Sequence, residues 1–249
     1  MKNRLRFYID IEGNDDSAVS EVIQKAIQLE HAVVAKRIVF IAHTLQNDGW
    51  LERQFERDGV NKLKKGARLN GSDCNSVFMS LKNYSPSDNE IVITLGLDSD
   101  DILKIEDNYG IQALIAIPWL RGGVDKWAKM SGAIELRTNQ ALEAAERPDA
   151  VVCQAFENLS KSINMSTGIH HHMDEERAKT YLRALHKYEY HLNEEKIENL
   201  LVGELKWTKD HAEDVLEIIR KINNGKSFQG GAKTGLKSYI TQWINECNQ

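Results

Sequence analysis

Asn89–Asp101 reads NEIVITLGLDSDD, Ile111–Leu120 reads IQALIAIPWL, and Arg121–Arg137 reads RGGVDKWAKMSGAIELR. Two unbroken apolar runs, Ile91–Leu95 and Ala113–Leu120, are each followed by polar residues and then by a helical pattern. A strand exposed on one face alternates apolar and polar residues; a run without alternation suits a strand covered on both faces, as in a parallel sheet. The stretch therefore predicts two central parallel strands, Ile91–Leu95 and Ala113–Ile117. Pro118 ends the second, because it has no N–H to give to the ladder.

Working towards the N-terminus, Leu5–Ile11 (LRFYIDI) is rich in aromatic and β-branched residues and reads as a first strand. The polar turn Gly13-Asn14-Asp15-Asp16 follows and offers a helix cap. Ala18, Val22, Ala26 and Leu29 recur at helical spacing over residues 16–30. Arg37–Ala42 reads as a second strand, and residues 48–66 as a helix closed by Gly66. Residues 70–89 are the least patterned; Ser76–Leu81 reads as helical, and Ser85-Pro86-Ser87-Asp88 as a turn. Asp98–Tyr109 reads as a short helix and Gly122–Met130 as another, before a fifth short strand over Ala133–Arg137. Strands alternating with helices predict right-handed crossovers and a mainly parallel, Rossmann-like sheet flanked by helices.

Beyond Arg137 the pattern changes. Pro148-Asp149 opens a helix with Val152, Phe156 and Leu159 on one side. Asp174, Asn193 and Thr208 read as caps of three more. A final helix carries Leu236, Ile240 and Trp243, its start expected near Lys233. These stripes predict an all-α domain, giving 1–147 as the α/β domain and 148–249 as the helical one.

The chain has 249 residues, 41% hydrophobic and 28% charged, with a net charge of −5. No global basic field recruits nucleic acid or anionic lipid. The helices on either side of Lys206-Trp207-Thr208 superficially suggest a DNA-reading pair. The second begins KDHAEDVLE, however, with acids where phosphates would lie, so nucleic acid is disfavoured as a partner. Three well-separated cysteines without a CxxC pair fit reduced thiols in a cytoplasm. No run reaches transmembrane length, and the N-terminus lacks a signal-peptide pattern.

Ligands in open parallel sheets bind beyond the carboxyl ends of the strands. The polar residues there are Asp10 and Glu12; His43, Thr44 and Asn47; Asp98, Asp100 and Asp101; Trp119 and Arg121; Arg137 and Asn139. If the first and third strands are neighbours, two acidic groups converge. Carboxylates on short loops are the usual Mg²⁺ ligands. The expected metal set is Asp10, Asp98 and Asp100, with Glu12 joining them in catalysis and Thr44 and Arg121 touching a phosphate. The same aspartates also suit the cap and first turn of the following helix.

LGLDSDDIL (95–103) followed by NYGIQALIAI (108–117) resembles the fourth motif of haloacid-dehalogenase-type phosphatases. DIEGN (10–14) is similar to their DxDx start, and Thr44 falls where the hydroxyl of their second motif would. Glu12 stands where the acid/base aspartate belongs, and no motif lysine can be assigned. The stretch also resembles the acidic DxD element of Toprim folds, with Glu12 as the first acid. Either resemblance covers fewer than half the residues, and the chain is assigned to neither family.

In GKSFQGGAKTG (225–235), Lys233, Thr234 and the backbone N–H groups before the last helix are expected to hold a phosphate-bearing ligand or an acidic patch and to face the sheet's carboxyl ends. The loop fails the phosphate-loop pattern and follows a helix rather than a strand. His170-His171-His172 reads as a polar loop, since consecutive side chains diverge. No GxGxxG follows the first strand, so no dinucleotide is expected.

The leading expectation is a metal-assisted protein acting on a phosphoester or nucleotide. The competing one is a non-catalytic scaffold whose helical domain serves a protein partner or a second copy.

Overall fold

The computed structural model describes residues 4–13 and 15–248; Asn14 of the expected polar turn lies outside them. The chain divides into two compact units, residues 1–144 and 145–249.

The first unit is built on an eight-stranded sheet, with strands β1 (Leu5–Tyr8), β2 (Arg37–Ala42), β3 (Ala67–Arg68), β4 (Asn75–Ser80), β5 (Glu90–Leu95), β6 (Ile111–Ile117), β7 (Ile134–Glu135) and β8 (Gln140–Ala141). Their spatial order is β3-β4-β2-β5-β6-β1-β7-β8. The six inner strands are mutually parallel, and only the two-residue edges β3 and β8 run antiparallel. β5 and β6 lie at the centre as their unbroken apolar runs predict: Ile91, Val92, Ile93, Ala113, Leu114 and Ile115 are all at 0% exposure.

Helices α1 (Asp16–Ala32) and α2 (Gly49–Leu63) cover one face, sharing a core with Phe7, Ile9, Ile38, Phe40, Ile91 and Ile93. Alternate residues point the other way: Val39, Ile41, Val92 and Leu114 are equally buried, beneath α3 (Ser99–Glu106) and α4 (Asp125–Ser131), which pack on each other. Asp15 caps α1 by accepting from Ser17 N and Ala18 N. Gly132 ends α4 in the left-handed region that glycine enters freely.

The structure corrects four local readings. Ser76–Leu81 is not helical: Asn75–Ser80 is β4, paired with β2 along its whole length. Its buried side carries Ser76, Phe78 and Ser80, so serines occupy positions where an apolar alternation would have shown a strand. The fifth strand is only Ile134–Glu135, and a hairpin to β8 follows it. Most consequentially, the first strand does not neighbour the third, because β6 lies between β1 and β5. The helix expected to be capped by Asp174 starts at His172, and Asp174 sits in its first turn.

Among its described residues the second unit contains helices and loops and no strand. It comprises α5 (Ala150–Ser162), α6 (His172–Lys187), α7 (Glu194–Glu198) running into a π-helical turn at Asn199–Glu204, α8 (Lys209–Asn223) and α9 (Leu236–Cys247). α9 begins three residues later than expected. Phe156, Leu159, Leu182, Leu185, Trp207, Leu216 and Trp243 belong to one core. No described helix is long and apolar enough to cross a membrane.

Candidate functional site

The strand order creates two places where neighbouring strands send their outgoing chain to opposite faces. β2 leaves through α2 and β5 through α3; β1 leaves through α1 and β6 through α4. At such switch points the loops part and leave a crevice beyond the carboxyl ends.

The β6/β1 crevice is bridged by the protein's own groups. Asp10 Oδ1 accepts a hydrogen bond from Gly122 N at 2.9 Å, and Gly13 N donates to Trp119 O at 2.8 Å. Asp10 thus ties two strand-end loops together. Glu12 beside it is exposed.

At the β2/β5 switch point the strand-end groups meet as side chains. His43, just past β2, brings Nδ1 to 3.6 Å from Asp101 Oδ2 in α3. That is ion-pair range, beyond a hydrogen bond. His43 is half exposed and Asp101 about one-fifth. Burial, reinforced by the charge of Asp98, holds the Asp101 carboxyl above the usual carboxylate range. Trp50 and Trp119 meet edge to face over the end of β5, with ring centroids 5.7 Å apart. A Cβ added at Gly96 would lie 3.8 Å from both Trp119 Cβ and Trp50 Nε1. Trp50 is buried, whereas Trp119 leaves 49% of its surface exposed.

The other expected site residues divide. Asp98 caps α3, with Oδ1 accepting from Asp101 N at 3.0 Å. Asp100 pairs with Lys126 at 2.9 Å. Among the described residues, Asp10, Asp98 and Asp100 do not bring three ligand atoms within 4.8 Å of one another. Thr44 Oγ1 donates to Asn47 Oδ1 at 2.8 Å, within its own turn. Arg121 is exposed after β6. Arg137 joins Glu21, Asp15 and Ser17 at the start of α1.

In the second unit the glycine loop is pinned to α6. Gly231 N donates to Glu176 Oε2 at 2.7 Å, Ala232 N to Thr180 Oγ1 at 2.8 Å, and Arg183 to the carbonyls of Phe228 and Gly230. Lys233 and Thr234 are exposed. His170 Nε2 lies 2.9 Å from Asp214 Oδ2, and its ring meets His211 edge-on at 5.6 Å. A cleft of about 470 Å³ near them mixes Lys179 and Lys221 with Glu175, Asp214 and Glu217, a balance that selects neither an anion nor a cation.

His43, Asp101 and Trp119 are visible in the sequence as polar or aromatic residues after strands. What no local pattern reveals is that β2 and β5 are neighbours.

A family model described as a domain of unknown function (DUF1889) matches residues 148–244, the helical part of the chain. No curated protein and no solved structure matches the chain.

Proposed function

We propose that the first unit binds a nucleotide, or another phosphate ester carrying an aromatic group, in the β2/β5 crevice and cleaves its phosphoester, with His43 as the proton-transfer group. The observation that carries this reading is the His43–Asp101 pair spanning the switch point. A carboxylate facing Nδ1 fixes the imidazole tautomer and leaves Nε2 to exchange a proton with a reacting oxygen. The pair is looser than a hydrogen bond, as unliganded catalytic pairs often are. Trp119, braced by buried Trp50, offers the indole surface on which a base would stack. Arg121, two residues further on, supplies charge for phosphate.

Mg²⁺ enters this reading with the phosphates. The ion keeps most of its waters and needs only one or two carboxylates. Asp98 caps α3 and Asp100 stands in its first turn, and the cap bond of Asp98 uses Oδ1.

The test is a panel of nucleoside mono-, di- and triphosphates with and without Mg²⁺, followed by tryptophan fluorescence and phosphate release. Trp119→Ala should weaken binding roughly 5- to 150-fold, from about 1–3 kcal/mol of stacking. His43→Asn should leave binding intact and slow turnover by about 10²–10⁴. If the wild type neither binds nor turns over any nucleotide, or if His43→Asn matches it in rate, the reading fails and a scaffold role stands in its place.

A further inference from the structure

We infer that Glu30, His31 and Asp73 form a binding site for a divalent transition-metal ion of the Zn²⁺ type. The site is independent of the crevice described above. It joins the C-terminal turn of α1 to the loop leading into β4.

One ligand atom from each residue lies within 4.8 Å of the other two. His31 Nε2 is 3.6 Å from Glu30 Oε1 and 3.9 Å from Asp73 Oδ2. A tetrahedral ion with ligands near 2.0–2.1 Å would hold donor atoms about 3.4 Å apart. Both His31 distances are within a few tenths of an ångström of that spacing, the Glu30–Asp73 pair is within 4.8 Å, and rotations of the two exposed side chains, His31 and Asp73, would draw the three donors together.

The third ligand is already fixed. Glu30 is 2% exposed. Its Oε2 accepts from Ser72 Oγ at 2.6 Å, and its Oε1 accepts from Asp73 N at 2.9 Å. Ligating carboxylates are characteristically oriented by such outer hydrogen bonds, and Oε1 retains a lone pair for an ion. Two carboxylates with a neutral imidazole offset a +2 charge. The negative end of the α1 dipole adds attraction for a cation. Nitrogen beside oxygen donors favours Zn²⁺ or Co²⁺ over Mg²⁺, which prefers oxygen alone. The exposure of two ligands leaves the fourth position to water.

The experiment uses the full chain, stripped with a chelator and titrated calorimetrically with Zn²⁺, and with Co²⁺ for its visible d–d bands. His31→Asn and Asp73→Asn alter exposed side chains and should leave the fold intact by circular dichroism. Each should lower the number of Zn²⁺ ions bound by one and remove the four-coordinate Co²⁺ absorption. Ser72→Ala takes away no ligand and should weaken the site roughly 10–100-fold. Any Zn²⁺ held by the His170–His172 run would survive all three changes. A wild type with no Zn²⁺ site, or variants that bind the same number of ions with the same affinity and Co²⁺ spectrum, would overturn the inference.

Discussion

Glu90 opens the central strand β5 with its side chain at 0% exposure. A charge so placed needs partners, and it has two. The Arg37 guanidinium pairs with Oε1, and the Tyr84 hydroxyl donates to Oε2 at 2.8 Å. Arg37 also donates to Ser85 O at 2.8 Å, and its side chain keeps 24% exposure. Burial first, and then the bond to Glu90, raise the Tyr84 hydroxyl far above the ordinary phenol range, so it stays a donor. The two partners are therefore unequal. Arg37→Met strands a fully buried carboxylate with one neutral donor, which should cost roughly 3–5 kcal/mol. Glu90→Gln keeps a group for Tyr84 to donate to and leaves an arginine that can reach water, for roughly 1–3 kcal/mol. The double variant removes both charges and should be more stable than Arg37→Met alone. Urea titrations read by amide exchange within Ile91–Leu95 confine the measurement to the first unit. Equal costs for the two single changes, or a double variant no better than Arg37→Met, would refute the argument that the buried carboxylate sets the energetics.

Two further outcomes follow from the caps and the glycine loop. Hydrogen bonding to Ser17, with Ala18 N and Arg137 adding to it, holds the Asp15 carboxyl at about 2. Asp15→Ala should cost about 1–2 kcal/mol at neutral pH. Because the folded value is depressed, that advantage is complete above the unfolded value near ~4 and disappears as pH falls towards 2. A wild-type-to-variant gap that holds or widens in acid denaturation would contradict the sign. Gly225 and Gly231 both have positive φ, at +65° and +72°. A Cβ at Gly225 meets nothing within 4 Å, whereas one at Gly231 falls 2.8 Å from the Lys179 and Thr180 backbone. Gly225→Ala should cost about 1–2 kcal/mol for backbone conformation alone. Gly231→Ala should cost more by roughly 1–3 kcal/mol of steric conflict, and equal melting temperatures would show that the loop is not pressed onto α6.

The parts of the fold legible in the sequence are those where one physical requirement dominates. β5 and β6 are covered on both faces, so every position along Ile91–Leu95 and Ala113–Ile117 is apolar or a small or β-branched residue. α8 announces itself by Thr208, whose Oγ1 accepts from His211 N, and by a broad apolar stripe. Legibility fails where two requirements compete. β4 puts Ser76 and Ser80 on its buried side, and the alternation that marks a strand vanishes. β3 and β8 are two residues each, shorter than any period. Asp174 has the chemistry of a cap, yet an aspartate in the first turn is equally favoured by the dipole. There its carboxylate pairs with Arg177 at 3.4 Å instead.

The candidate site divides along the same line. Local pattern identifies what stands at a strand end, and strand order decides what it meets. Placing the first strand beside the third would have gathered Asp10 with Asp98 and Asp100; the interposed β6 gives Asp10 a backbone amide and leaves His43 facing Asp101. The glycine loop makes the point in chemical terms. Its backbone amides were expected to attract an anion, and an anion is there: the Glu176 carboxylate accepts from Gly231 N. An external phosphate at that amide would have to displace a tethered carboxylate, whose effective concentration is of millimolar order for a short connection. The amides that draw the eye to this loop thus serve first to lock it against α6. Exposed Lys233 and Thr234 are left to meet any ligand without them, whereas at the β2/β5 switch point His43 and Asp101 face each other at 3.6 Å, beyond hydrogen-bond range.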